Sequence, residues 1–216
     1  MNGLPDHLIE YDSDNKNSIQ VTLWAREPGS FAKALPKALE KFKDKNGEDL
    51  VAALLKHFMG NISMVDRYDT ASGEKTSQIL NPNGTRFYQS HFNKDGKLEN
   101  LANGSPAERG FDENGEPRFV CFRNNGVINN GPKGEPGYME IKTLDEYRGS
   151  RHYTHTVFGY AGREKVVYAE SWNNGNKVKI LSPQEIAAFM KQESERHGYH
   201  VIGGAKAATY APGAPA

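Results

Sequence analysis

The sequence predicts an α+β fold: an antiparallel, hairpin-rich sheet with tandem repeats of about 30 residues, an N-terminal helical hairpin and one C-terminal helix. Three observations lead to this prediction. Apolar residues recur with helical spacing only towards the two ends of the chain. Short segments rich in β-branched and aromatic residues fill the remainder. Glycine-containing turn pairs separate these segments, and 22 Gly with 11 Pro indicate many turns.

The first predicted strand is SIQVTLWA, residues 18–25, in which Ile19, Val21 and Leu23 share one face. The polar residues before it, 12–17, lack the ligand spacing of a calcium loop. We therefore expect a polar turn there and no metal site.

Two helices are predicted next. Apolar residues from Phe31 to Phe42 follow helical spacing, and Pro36 within them predicts a kink or a second helix start. Asn46 and Asp49 have the spacing of a capping box at the start of a second helix, which ends near Gly60. The two helices are expected to pair as a hairpin and to cover one face of a sheet.

The middle of the chain predicts hairpins. Short strands are expected at 62–68, 85–92, 118–123 and 138–144. Four pairs suited to type I′ turns stand among them, namely Asn83-Gly84, Asp95-Gly96, Asn114-Gly115 and Asn125-Gly126.

These hairpins carry an internal period. GKLEN at 96–100 and GVINN at 126–130 are offset by 30 residues, as are GSPA at 104–107 and GEPG at 134–137. The region 82–140 resembles the MORN-like bacterial and phage repeat. Matching positions are Gly84, Thr85, Tyr88, Gly96, Gly104, Pro106, Ala107, Gly115, Gly126, Gly134 and Pro136.

The match departs from the family where its His-Arg pair would stand, at Glu99-Asn100 and Asn129-Asn130. The resemblance implies a β-hairpin scaffold with a binding or structural role. It implies no catalytic activity.

Strands are expected again at 152–160, 165–172 and 177–181. A final helix follows, with Ser182 and Glu185 as its capping box and Pro183 at its first position. The predicted organisation is a strand and helical hairpin over 1–60, a hairpin-repeat region over 61–146, strands and a helix over 147–202 sharing one core with the rest, and a flexible tail over 203–216.

Composition limits the functional classes. Twenty-seven Lys and Arg balance 27 Asp and Glu, so no overall field attracts nucleic acid or acidic membranes. Cys121 is the one cysteine, so no internal disulfide forms. A single cysteine is typical of proteins in a reducing compartment, and the sequence shows no signal peptide and no apolar run of membrane-spanning length. These features favour a cytoplasmic location and leave leaderless export open. No phosphate-binding loop or metal-ligand spacing occurs, so no cofactor and no metal are expected.

The densest set of chemically active side chains is at 147–172, where the candidate residues are Arg148, Arg151, His152, His155 and Glu170. Arginines among aromatic residues suit phosphate binding. His152 and His155 would point to opposite faces of a strand, which is a poor arrangement for a metal. The alternative interpretation is a solvated strand with aromatic pairs. Cys121 is expected to be a buried structural residue.

The leading functional hypothesis is a non-enzymatic protein-binding or scaffold protein that uses the hairpin surface, with a protein partner or self-association and no membrane. The first alternative is a secreted-effector or phage-encoded enzyme with its site around residues 147–172. A second alternative is nucleic-acid binding through the last third, where 10 Lys and Arg face 7 Asp and Glu from Ile141 to Ala216.

Overall fold

The computed structural model describes residues 7–12, 18–27, 29–143 and 164–197. Its framework is one ten-stranded antiparallel sheet whose strands lie side by side in chain order, interrupted by one separate two-stranded hairpin. The strands of the large sheet are β1 (His7–Asp12), β2 (Ser18–Ala25), β3 (Ile62–Asp69), β4 (Lys75–Leu80), β5 (Arg86–Phe92), β6 (Glu108–Phe111), β7 (Pro117–Cys121), β10 (Tyr138–Thr143), β11 (Glu164–Asn173) and β12 (Asn176–Ile180). The separate hairpin is β8 (Arg123–Asn124) with β9 (Val127–Ile128), and the described helices are α1 (Ser30–Lys41), α2 (Gly47–His57) and α3 (Pro183–His197). The α+β class with a large antiparallel sheet is confirmed.

The two N-terminal helices cover one end of the sheet. Their apolar stripes meet Val21 and Leu23 of β2 and Val65 of β3 in one buried cluster. Pro36 lies within α1, which continues through it with the proline exposed, so no second helix starts there. Asn46 occupies the N-cap of α2 without a side-chain capping hydrogen bond, so the expected capping box is not formed.

The third helix covers the other end of the sheet. Ile186 and Phe189 of α3 pack against a second buried cluster that includes Val120, Met139 and Val166. Its capping box is confirmed. The backbone N–H of Ser182 donates to Glu185 Oε2 at 2.8 Å, and the backbone N–H of Glu185 donates to Ser182 Oγ at 3.3 Å.

A polar strip separates the two apolar clusters on this helix-bearing face. In strand register, Val65 is followed by Gln78, Gln89 and Arg109, and the next residue is Val120. Apolar packing therefore resumes only after three polar strands, which divides the buried apolar side chains into two groups.

The turns between strands differ from the predicted type I′ geometry at three of the four sites. A type I′ turn needs a positive φ at both central residues. At these three sites Gly84, Gly96 and Gly115 have a positive φ, but the preceding Asn83, Asp95 and Asn114 do not. In each case the glycine N–H donates to the carbonyl three residues earlier, which is a type I turn closed by a glycine bulge. Asn125, with φ of 52°, and Asn174, with φ of 47°, do form type I′ pairs with their glycines.

Two asparagines 30 residues apart make the same hydrogen bonds. Asn100 Oδ1 accepts the backbone N–H groups of Ala107 at 3.1 Å and Arg123 at 2.9 Å. Asn130 Oδ1 accepts those of Gly137 at 3.1 Å and Trp172 at 2.8 Å. Each asparagine thus ties its own loop to the strand or hairpin that follows.

Three strands of the large sheet, β1, β4 and β6, were not predicted, nor was the short β9 of the separate hairpin. The sequence of β4, KTSQIL, is mostly polar, and β6 has four residues including Gly110. Such segments form strands because they pair with neighbours on both sides, and local propensity alone does not signal this. The predicted strand 152–160 and the tail 203–216 lie outside the described residues. None of the described helices combines the length and apolarity needed to span a membrane.

Candidate functional site

The predicted site is only partly described. Arg148, Arg151, His152 and His155 lie outside the described residues. Glu170 lies on β11 and is buried. Its side chain points to the sheet face opposite the helices, because Ala169 belongs to the apolar cluster under α3.

Three donors surround the Glu170 carboxylate. The Tyr168 hydroxyl donates at 2.6 Å, the Trp172 Nε1–H at 2.9 Å and the Lys177 ammonium at 2.7 Å. Burial raises the pKa of Glu170, but the hydrogen bonds from these three donors outweigh it and lower the pKa below its usual range. The same contact to Glu170, helped by desolvation, raises the pKa of Tyr168 to about 12.

Two further carboxylates on this face are bound in the same way. Glu108 accepts hydrogen bonds from the Tyr88 hydroxyl and from Arg123 Nε. Asp66 accepts hydrogen bonds from the Ser77 hydroxyl and, at 3.1 Å, from Trp24 Nε1–H. Each of the three carboxylates therefore has an aromatic donor beside it.

The register explains this alignment. Consecutive pairing partners from β3 to β11 are Asp66, Ser77, Ser90, Glu108, Cys121, Tyr138 and Glu170. Residues that pair across an antiparallel sheet share one face, so the carboxylates lie in one row across the strands.

An aromatic row runs beside the acidic one. Its consecutive partners from β2 to β11 are Trp24, Met64, Ile79, Tyr88, Gly110, Phe119, Glu140 and Tyr168. Eight strands at a spacing of about 4.8 Å give a row roughly 33 Å long. We call the two rows together the acid–aromatic face.

Four rings of this face form a chain of contacts, in which Tyr138 joins the Phe119 ring to the Tyr168 ring. Ring centroids are 6.3 Å apart for Tyr88 and Phe119, 5.9 Å for Phe119 and Tyr138, and 6.4 Å for Tyr138 and Tyr168. These separations are within the range of stabilising aromatic pairs. All four rings are half-buried, so part of each remains accessible to a partner.

Cys121 lies in the acidic row and is buried, as predicted. Desolvation, with the negative charge of Glu108 as the next cause, raises the pKa of its thiol to about 12. A thiol with this pKa is protonated at neutral pH and is a poor nucleophile.

Sequence reasoning missed most of this face. It singled out Glu170, but it did not single out Asp66, Glu108 or Tyr138. One signal was available: Tyr-x-Glu occurs at Tyr138–Glu140 and at Tyr168–Glu170, on two strands that pair with each other. Alternate residues share a strand face, so this repeat predicts adjacent phenols and carboxylates.

The arrangement suits contact more than reaction. Asp66, Glu108 and Glu170 each accept at least two hydrogen bonds, which holds them in place. Across the described ranges, His, Cys, Asp and Glu side chains nowhere gather in threes in a way that could hold a metal ion.

Comparisons of the chain with protein-family models, with curated proteins and with solved structures find no match.

Proposed function

We propose that this protein is a non-enzymatic binding protein whose acid–aromatic face engages a partner protein. The observation that carries the proposal is the row across eight strands, in which six positions hold aromatic or apolar side chains that are half-buried or exposed; Gly110, covered by the Phe119 ring, and Glu140 hold the other two. Aromatic residues are enriched at protein interfaces, where their rings supply large contact area at small entropic cost. The row is roughly 33 Å long, enough to span the width of a standard interface, which buries roughly 800 Å² on each partner.

The state of the polar groups supports binding over catalysis at this face. A general base needs an accessible lone pair and a pKa near neutrality. Glu170 has a lowered pKa and three donors around it. Cys121 is protonated at neutral pH because its pKa is about 12.

The charge of the face supports a protein partner over a nucleic acid. Asp66, Glu108, Glu140 and Glu170 all lie on it, against Arg123 and Lys177 in contact with two of them. A polyphosphate backbone is bound through an excess of cations, which these residues do not provide.

The hairpin region is, in this proposal, the rigid support of the face. The matching hydrogen bonds of Asn100 and Asn130 support the interpretation of 96–107 and 126–137 as two copies of one unit. Stacked units of this kind place side chains at regular intervals, which is how repeat proteins form extended binding surfaces.

The test is affinity capture from lysate of the cells that make the protein, with three baits. Ile79, 38% exposed, lies within the aromatic row, and Val127, 44% exposed, lies on the separate β8–β9 hairpin. We expect a partner that wild type and Val127→Glu retain and that Ile79→Glu loses. The purified partner should then bind Ile79→Glu roughly tenfold or more weakly.

Retention of every specific partner by Ile79→Glu, at wild-type affinity, would refute the proposal. Far-UV circular dichroism and thermal unfolding of each bait check that both substitutions, which are at exposed sites, leave the fold intact.

A further inference from the structure

A second surface lies on the helical hairpin, on the side away from the sheet. Alternating with the buried stripe of α2, the residues Asp49, Ala52, Ala53 and Lys56 line a hollow of about 690 Å³, which α1 closes with Lys41 and Phe42. Lys45 from the connecting loop and His57 complete the lining.

The rim of the hollow carries an excess of positive charge. Three lysines, Lys41, Lys45 and Lys56, face a single carboxylate, Asp49. Among the described residues no ion pair or hydrogen bond reaches the ammonium of Lys45 or Lys56, and Lys41 lies over the Phe42 ring at 5.3 Å. Lys41 and Lys56 are in the last turns of their helices, where the helix dipole stabilises a positive charge without any ligand. This interaction does not explain the charge of Lys45, which lies in the connecting loop.

The floor of the hollow is apolar and is formed by short side chains. Ala52 and Ala53 have the shortest side chains that a helix can present apart from glycine, and the Phe42 ring forms one wall, packed edge-on against His57 at 5.6 Å. Small residues between longer ones let a neighbouring helix approach to the usual interaxial distance of about 8–10 Å.

The hollow is open to solvent, which favours a macromolecule over a small molecule as its ligand. Six of its eight lining residues are exposed, all except Phe42 and Ala53. Small-molecule sites bury about 70–90% of the ligand, which a surface this open cannot do. A helix lying along the hairpin would instead bury its own apolar stripe against the floor and place acidic side chains at the rim.

We propose that the α1–α2 hollow is a docking site for an acidic amphipathic helix of a partner protein. The apolar stripe of that helix lies on Ala52, Ala53 and Phe42. Glu or Asp residues spaced three and four apart on its flank pair with Lys41, Lys45 and Lys56. This surface is on the opposite side of the molecule from the acid–aromatic face, so its proposal does not rest on the proposed function.

The test is selection from a displayed library of helical peptides of about 18 residues, roughly five turns, with the outward positions randomised. The full chain is the bait. In parallel, the library is selected on Lys45→Glu/Lys56→Glu and on the matched control Lys94→Glu/Lys97→Glu, which reverses two exposed lysines of a distant turn. A third bait, Ala52→Trp, raises the floor without changing the charge.

The proposal predicts that wild type and the control double variant enrich peptides with Asp or Glu at helical spacing beside an apolar stripe. Their affinity should fall roughly tenfold or more for Lys45→Glu/Lys56→Glu and for Ala52→Trp, and should weaken as salt rises. No enrichment on wild type would overturn it. Enrichment of peptides without acidic residues, or acidic peptides that bind the Lys45→Glu/Lys56→Glu bait equally well, would overturn it too. Ile79→Glu is expected to bind these peptides normally, which separates this site from the acid–aromatic face.

Discussion

The ring of Phe119 lies directly over Gly110 on the neighbouring strand, so closely that a Cβ at residue 110 would overlap it. Gly110 stands between Tyr88 and Phe119 in the aromatic row. Its missing side chain lets the Phe119 ring lie across the strand and approach Tyr88 to a centroid distance of 6.3 Å. An aromatic ring covering a glycine on the adjacent strand is a known way of protecting weak sheet positions.

Gly110→Ala should therefore destabilise the fold by about 1–3 kcal/mol, the usual range for an overpacked site. The measurement is urea unfolding followed by tryptophan fluorescence. In a Phe119→Ala background the same substitution should cost much less, because the ring that it displaces is gone. Additive effects of the two substitutions would contradict the contact.

Asn130→Ala should destabilise the protein by about 1–3 kcal/mol, because the backbone N–H groups of Gly137 and Trp172 lose their acceptor. Asn100→Ala should cost a similar amount through Ala107 and Arg123. Amide hydrogen exchange should be faster at those N–H groups.

The matched control for the asparagine substitutions is Asn103→Ala. Asn103 Oδ1 accepts the N–H of Ser105 in an exposed turn, where water can replace it. Equal losses of unfolding free energy at positions 100, 103 and 130 would argue against a special role for the two half-buried acceptors, Asn100 and Asn130.

The thiol of Cys121 should resist modification in the native protein at pH 7 to 8.5, because desolvation and Glu108 raise its pKa to about 12. A disulfide reagent that releases a coloured product reports the rate directly, since the chain has one cysteine. We expect one thiol per chain to react promptly in urea and almost none to react without it. A native rate equal to that of a small free thiol would show that the site is open.

The capping box of α3 should lose its contribution at acid pH. Hydrogen bonds from Lys179 and from Ser182 lower the pKa of Glu185 to about 2, against an ordinary value of 4.5. A carboxyl group whose folded-state pKa is depressed stabilises the fold above its unfolded pKa, and this stabilisation is lost as pH falls towards the folded value. The expected window is therefore pH 4.5 down to 2.

Hydrogen exchange and unfolding of Glu185→Gln against wild type measure this effect. The two proteins should differ at pH 6 and converge near pH 2. A difference that persists unchanged at pH 2 would mean that the charge of Glu185 does not matter to the cap.

Several elements could be predicted because their signals are local. Residues 18–25 alternate apolar and polar side chains, and they form β2 with the predicted bounds. Ser182, Pro183 and Glu185 are a complete helix start within four residues, and they begin α3. The strands β4 and β6 lack such signals and form only because both neighbours pair with them.

The turns show what local sequence predicts and what it does not: it predicts where the chain reverses, but not the type of turn. Asn-Gly and Asp-Gly predict a reversal of the chain, and a reversal occurs at each site. The same pairs serve a two-residue type I′ turn at Asn125 and a glycine-bulge turn at Asn83, because the pairing register of the flanking strands decides how many residues the loop contains.

The candidate site shows the same division. By itself, the sequence determined where the chain becomes a helix, a strand or a turn, because capping, alternation and glycine depend on residues a few positions apart. Only the tertiary structure decided that Asp66, Glu108 and Glu170 form one row beside Tyr88, Phe119 and Tyr168. Their contacts depend on the register between strands and on bulges such as that at Gly110/Phe111, and a shift of one residue would move each side chain to the opposite face.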